Sequence, residues 1–397
     1  MKILLLAPHP FYQERGTPIA VDLLLRVLSE RGDTVDVLTY HEGDPRAYPN
    51  VTTHRIPRLP FVRDIRPGLS GKKLLCDAFL ALRALRMARG RRYDLVHAVE
   101  ESVFIAMLLR RFFRTPYVFD MDSSMPLQIV DKAPHLRFLL PFMTRCEAAA
   151  VRGAAAVVPV CEALERQAET YGAKQTVLLQ DVSLLDPGRS LPPRDLKREL
   201  NISGACFLYL GNLETYQGID LLLESFALLA QAHPGCGLVI AGGQPADIEK
   251  YKQKSVALGI GAAAHFIGPQ PLRHMESLFA GADILVSPRT QGSNTPMKIY
   301  SYLDSGRPIL ATRLPTHTQA LDDSVALLAA PQAEDFSAAM GELAGDAALR
   351  TRLATAARAR ALAKHSFGAF RYAARSLYNS LERDVCGQNS TRTQSPS

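Results

Sequence analysis

The chain has 397 residues, 47% of them hydrophobic, enough to bury the cores of two domains. A net charge of +7 suits an anionic partner, whether a phosphate-bearing substrate, an acidic membrane surface or nucleic acid. Six scattered cysteines without a CxxC pair exclude a disulfide frame and a cysteine zinc site and point to a reducing compartment.

The opening apolar run, residues 3–7, is too short for a signal peptide, and no apolar stretch is long enough to span a bilayer. A cytoplasmic protein is expected, peripheral on the inner face of the membrane if it meets one. Strands are predicted at 2–7, 34–40, 95–99, 117–120, 157–160 and 177–179, with a loop over 8–18 and a helix over 19–31. Strands separated by helical stretches imply βαβ units and a parallel sheet, whose ligands sit beyond the carboxyl ends of the strands. Three prolines and a glycine within 187–194 mark a linker. The alternation then restarts, with strands at 206–210, 238–241, 265–267, 284–286 and 309–311, and helices fill 336–381. The expected organisation is two α/β domains, 1–188 and 204–386, a linker over 189–203 and a disordered polar tail over 387–397.

The clearest chemistry lies in 287–311. A strand leads into a loop with Gly292, and Ser293, Asn294 and Thr295 are all good N-cap types. Pro296 suits the first position of a short helix, which Gly306 ends. Strand, polar loop and helix N-terminus together make a place for an anion. Arg289 stands just before the loop and Lys298 in the first helical turn, where a cation opposes the helix dipole unless a bound phosphate compensates it. A second segment, 209–223, reads as strand, Gly211-Asn212-Leu213, short loop, then Gly218 opening an apolar helix.

These two segments resemble the donor-binding parts of retaining glycosyltransferases of family 4, which have the GT-B fold of two Rossmann-like domains facing across a cleft. The run 305–312, Ser-Gly-Arg-Pro-Ile-Leu-Ala-Thr, carries the likeness, and so does the Gly-x-Leu of 211–213 followed by Gly218. The family's helix glutamates are replaced by Ser293 and Ser301, and its two diphosphate-gripping cations by Asn212 and Gln217, amides that still hydrogen-bond phosphate oxygens. Arg289 and Lys298 are expected to restore the missing charge. Gly268, at the end of the 265–267 strand, resembles the glycine whose backbone lies beside the nucleotide base. The resemblance makes 1–188 the acceptor-side domain and 204–386 the nucleotide-sugar domain.

In the first domain Gly16 and Thr17 resemble the family's glycine loop after the first strand. Asp122 stands where many members place a histidine beside the donor sugar, and an acid there would accept sugar hydroxyls or an acceptor proton. The alternative is an Asx turn or cap. His97 lies on a strand resembling the family's Asp-x-x-His-Ala segment, with Glu100 and Glu101 at that strand's end as acceptor-side candidates. Asp120 and Asp122 mimic the DxD pattern of metal-dependent transferases, but those have a single nucleotide domain, so no metal and no cofactor is expected beyond the nucleoside diphosphate sugar as co-substrate.

Arginine and lysine interleave with leucine and phenylalanine over 58–114, a pattern suited to an anionic membrane surface. No nucleic-acid motif accompanies the charge. The function expected is sugar transfer from a nucleoside diphosphate sugar to a lipid-linked or glycan acceptor with retention of configuration. A nucleotide-sugar epimerase of the same fold and a non-catalytic sugar-nucleotide-binding partner are the alternatives.

Overall fold

The computed structural model describes residues 1–14, 16–63, 65, 70–185, 191–292 and 294–392. The chain forms two compact units, Met1–Gln180 with the segment from Gly368, and Asp181–Phe367.

The first unit holds strands β1 (Lys2–Ala7), β2 (Thr34–Thr39), β3 (Val51–Arg55), β4 (Leu95–Val99), β5 (Tyr117–Met121) and β6 (Ala156–Pro159). They pair in parallel in the order β3-β2-β1-β4-β5-β6. Helices α1 (Gly16–Arg31), α2 (Gly71–Gly90), α3 (Val103–Phe113), α4 (Met125–Lys132), α5 (Leu140–Gly153) and α6 (Glu162–Thr170) complete the crossovers. The central strands β1 and β4 are mostly apolar because both faces are covered, and Ile3 to Leu6 are fully buried. α2 shows how composition sorts itself: Cys76, Leu80 and Ala84, four apart, form its buried stripe, while Leu74, Leu75 and Leu82 stay exposed.

The second unit repeats the plan. Strands β7 (Cys206–Leu210), β8 (Gly237–Ala241), β9 (Ala264–Gly268), β10 (Ile284–Ser287), β11 (Ile309–Thr312) and β12 (Leu327–Ala329) pair in parallel in the order β12-β11-β10-β7-β8-β9. The helices here are α7 (Leu196–Glu199), α8 (Ile219–Ala232), α9 (Pro245–Ala257), α10 (Met275–Ala280), α11 (Lys298–Asp304), α12 (Pro315–Thr318), α13 (Ala333–Gly345) and α14 (Ala347–Lys364). α15 (Phe367–Arg392) follows.

Several boundaries differ from the sequence expectation. Residues 177–179 are not a strand: Thr176 makes only an isolated bridge to Val157, and the Val177 and Leu179 amides bond to Val157 and Pro159 carbonyls. β3, Val-Thr-Thr-His-Arg, is a polar edge strand without the apolar run that marks its neighbours. The expected linker contains α7, capped by Asp195, whose side chain accepts from the Arg198 amide. α15 runs to Arg392, five residues past the expected start of a disordered tail at 387, and 393–397 lie outside the described residues.

The segment from Gly368, expected with the second domain, belongs to the first unit. Tyr378 of α15 donates its hydroxyl proton to Nδ1 of His97 at 2.8 Å, so His97 Nε2–H donates to Asp120 at 3.0 Å. Glu382 pairs with Arg31 at 2.9 Å and lies 3.7 Å from the N-terminal ammonium. Replacing Tyr378 by phenylalanine strands the buried Nδ1 of His97, which should cost roughly 1–3 kcal/mol. Urea unfolding should show a lower midpoint with an unchanged slope. An unchanged midpoint would remove the Tyr378 hydroxyl from the fastening of α15.

Candidate active site

In the second unit the two segments singled out by sequence meet. β7 delivers its chain to Gly211, and the turn after it closes at Gly218, whose φ of +74° suits glycine. A Cβ at Gly218 would run into the Pro288 carbonyl, and the Thr290 amide donates to the Tyr216 carbonyl at 3.0 Å. The 211–218 loop therefore packs directly on the 288–290 loop.

Lys298 lies where these loops meet. A Cβ at Gly211 would sit 3.3 Å from its Nζ, and the same nitrogen is 3.9 Å from the centroid of the Tyr209 ring. The amine is buried and has no hydrogen-bond partner among the described residues. Burial, then the nearby Arg289 charge, hold its pKa well below the usual lysine range. Two further buried side-chain atoms on these segments lack a partner among the described residues, Oε1 of Gln217 and Oγ1 of Thr295. Each residue is 8% exposed. Buried polar atoms are ordinarily satisfied, so three without partners on two touching loops describe a site shaped for a polar group.

Arg289 is committed to its own loop. Nε donates to the Gln291 carbonyl at 2.7 Å and Nη1 to the Asn294 carbonyl at 3.1 Å, and the guanidinium carbon lies 5.1 Å from the centre of the Tyr216 ring. Its charge stays near Lys298, but these donors brace the turn through Gly292 rather than stand free. Asn212 reaches the Tyr216 hydroxyl at 3.4 Å, while its carbonyl accepts from the Tyr209 hydroxyl at 2.6 Å. Asn294 contributes its carbonyl, which accepts from Arg289 and, at 2.7 Å, from Thr316.

The expected helix cap is not formed. α11 begins at Lys298, not Pro296; its N-cap is Met297, and no side chain caps it. Ser293 lies outside the described residues, and Ser301, in the place of a family glutamate, is buried and accepts from the Leu184 amide at 3.0 Å. Gly268 has φ +69°, and its carbonyl accepts from the Gly242 amide at 2.7 Å; a Cβ there would meet nothing within 4 Å.

Sequence reasoning missed His317. Its Nε2 is 2.9 Å from Ser287 Oγ and its Nδ1 3.0 Å from both Thr312 oxygens. The Thr312 hydroxyl in turn donates to the Arg289 carbonyl at 2.5 Å. Burial pushes the imidazole pKa down to about 3, so a neutral His317 links β10, β11 and the loop. No local motif marks it, because its partners are 5 and 30 residues away.

The first unit gathers a separate polar group. The register pairs Val99 with Asp120, which sets Glu100 and Glu101 beside Met121 and Asp122 at the carboxyl ends of β4 and β5. Glu100 has φ +47°, and burial, then Glu101, push its pKa up to about 7. Glu101 pairs with Lys73 at 2.5 Å. Asp122 is half-buried, and Gly16 and Thr17 open α1, where a Cβ on Gly16 would meet nothing. His97 is corrected: at 1% exposure, with both ring nitrogens bonded, it positions Asp120 and does not reach an acceptor. Among the described residues no group of three or more His, Cys, Asp or Glu is placed to hold a metal, and no helix is long and apolar enough to cross a membrane.

Comparison with known proteins identifies the family. Residues 15–179 match the model of the glycosyl transferase 4-like domain and residues 195–360 that of glycosyl transferases group 1, together more than half of the chain. A D-inositol 3-phosphate glycosyltransferase of Corynebacterium urealyticum is 25% identical over 252 residues, and the match spans only 58% of either chain. One of the same name from Acidothermus cellulolyticus is 27% identical over 384 residues, 88% of this chain and 82% of that one. The sucrose-phosphate synthase of Thermosynechococcus elongatus superposes with a TM-score of 0.77 at 20% identity, over 96% of this chain and 99% of that structure. With two parallel six-stranded sheets in the GT-B arrangement and both halves matched, the chain belongs to the family 4 type of glycosyltransferases.

Proposed function

We propose that the protein moves a glycosyl group from a nucleoside diphosphate sugar to a hydroxyl of a lipid-linked or glycan acceptor, with retention of configuration and with no other cofactor. The observation that carries this reading is the set of partnerless polar atoms on Lys298, Gln217 and Thr295 around the Gly211 turn. A nucleoside diphosphate sugar supplies what each lacks. Lys298 gains a counter-charge, Thr295 an acceptor for its hydroxyl proton, and Gln217 a hydroxyl of the sugar as donor. Family membership supports the transfer chemistry.

In this reading the bond between the anomeric carbon and the diphosphate breaks while the acceptor oxygen bonds to the same face. The acceptor proton passes to a leaving phosphate oxygen. Lys298 stabilises the charge growing on that group, Arg289 adds a field while holding the loop, and Asp122 accepts hydroxyls of the sugar or acceptor. Peripheral attachment to anionic lipid is part of the proposal. α2 and α3 expose Leu74, Leu75, Phe104, Leu108 and Phe112 beside Lys72, Arg110 and Arg111.

The direct test incubates the protein with UDP-, GDP- and ADP-sugars and acceptor extracts and assigns the anomeric configuration of any product. Epimerised donor in the absence of acceptor, or binding without any turnover, would replace the transferase reading. Lys298→Met should weaken nucleoside diphosphate binding by roughly ten- to a hundredfold, the value of a charge-assisted contact at about 1.4 kcal/mol per decade. Nucleoside monophosphate binding should fall less, and equal losses would remove Lys298 from the diphosphate site.

A sharper consequence concerns protons. Burial and the Arg289 charge hold the Lys298 amine well below the usual lysine range in the empty site, and a bound diphosphate raises its pKa again. Between its depressed pKa when empty and its higher pKa when occupied, binding takes up a proton, so affinity falls as pH rises through that window. A nucleoside diphosphate sugar has no phosphate monoester that titrates near neutrality, so calorimetry with it in buffers of different ionisation enthalpy reads this uptake directly. Identical heats in all buffers would contradict it. Liposome sedimentation should show binding that rises with anionic lipid and falls with salt; equal binding to neutral vesicles would exclude the electrostatic part.

A further inference from the structure

The first unit contains a cavity of about 490 Å3 enclosed by α2, α3, α4 and α5, the size of a small-molecule site. Leu74, Phe104, Ile105, Ile129, Phe142 and Met143 form its walls. Its polar end is Lys73, Asp77 and Glu101, with Lys73 and Glu101 paired at 2.5 Å and the Tyr40 hydroxyl bonded to Asp77. That end adjoins the carboxyl terminus of β4, the side on which parallel sheets bind ligands.

The cavity is held by the fold. Glu147 of α5 is fully buried and accepts from the Met125 amide at 2.9 Å, from Ser124 Oγ at 3.1 Å and from Gln167 Nε2 at 3.3 Å. These bonds fix the start of α4 against α5 and keep two of the walls apart. At the mouth Leu74, Phe104 and Phe142 are 57%, 39% and 65% exposed, more apolar surface than solvent contact alone favours. The helices α2, α3 and α5 that line it also carry the exposed Lys72, Arg110, Arg111 and Arg145.

An open apolar pocket with one polar end, its mouth lined by aromatic side chains on helices that also carry basic residues, complements a single-chain amphiphile drawn from an anionic surface. A peptide would bury amide groups against walls that offer few partners. We propose that this cavity takes the aliphatic chain of an amphiphilic ligand, with its hydroxyl-bearing head at the Lys73–Glu101 pair. The ligand's role as the acceptor rests on the glycosyl-transfer reading above; the chain site itself rests on the cavity.

The test uses alkyl β-maltosides of eight, ten and twelve carbons below their micelle concentrations, with maltose as control. In the unmodified protein each two-carbon extension should tighten binding roughly tenfold, the value of two buried methylenes, and maltose should not bind. Ile129→Trp and Met143→Trp fill the cavity from different walls, and each should weaken decyl maltoside binding by about tenfold or more. Nucleoside diphosphate binding, read in the same samples, should stay unchanged and certifies that the variants fold. Affinity independent of chain length, or undiminished in both filled variants, overturns the chain site. A protein that binds the alkyl series but no nucleoside diphosphate overturns the acceptor role alone.

Discussion

The second unit is arranged around one unpaid electrostatic debt, the amine of Lys298. An ammonium taken out of water without a partner is costly, and among the described residues this one has no hydrogen-bond partner and lies against the Tyr209 ring beside Gly211. Burial answers by holding the amine's pKa well below the usual lysine range, where an arriving anion would raise it. Much of the surrounding structure serves that geometry. Gly211 leaves the space, Gly218 lets one loop lie on the other, and Arg289 ties Gln291 to Asn294. His317, neutral and buried, ties the strands behind them.

The two sheets were legible because parallel strands covered on both faces become unbroken apolar runs, and ten of the twelve lie where such runs occur. The two that were not are β3, which is polar, and β12, which has only three residues. Meeting of the 211–218 and 289–298 segments was also legible, since each follows a strand in one parallel sheet. Which atoms they present was not. Ser, Asn and Thr before a proline favour a helix cap, yet the helix starts at Lys298, and Asn294 spends its carbonyl on Arg289 and Thr316 instead.

The first unit teaches a similar lesson about histidine. His97 occupies a strand position that local pattern links to chemistry, and its fate is decided by Tyr378, 281 residues away. No window of sequence contains both. Glu100 and Glu101 are adjacent in the chain and both half-buried, yet loss of solvent and its neighbour's charge push the pKa of Glu100 up, while Glu101 pairs directly with Lys73.

The return of α15 to the first unit also bears on how the molecule is made. The strands of that unit leave the ribosome before the second unit, but Tyr378 and Glu382, which satisfy His97 and Arg31, are translated after it. The nascent first unit must therefore wait, with an open seat for a helix, while the entire second unit is synthesised. Its folding is completed only once the segment from Gly368 has been made, so a fragment ending near Gln180 is an unfinished body rather than a domain.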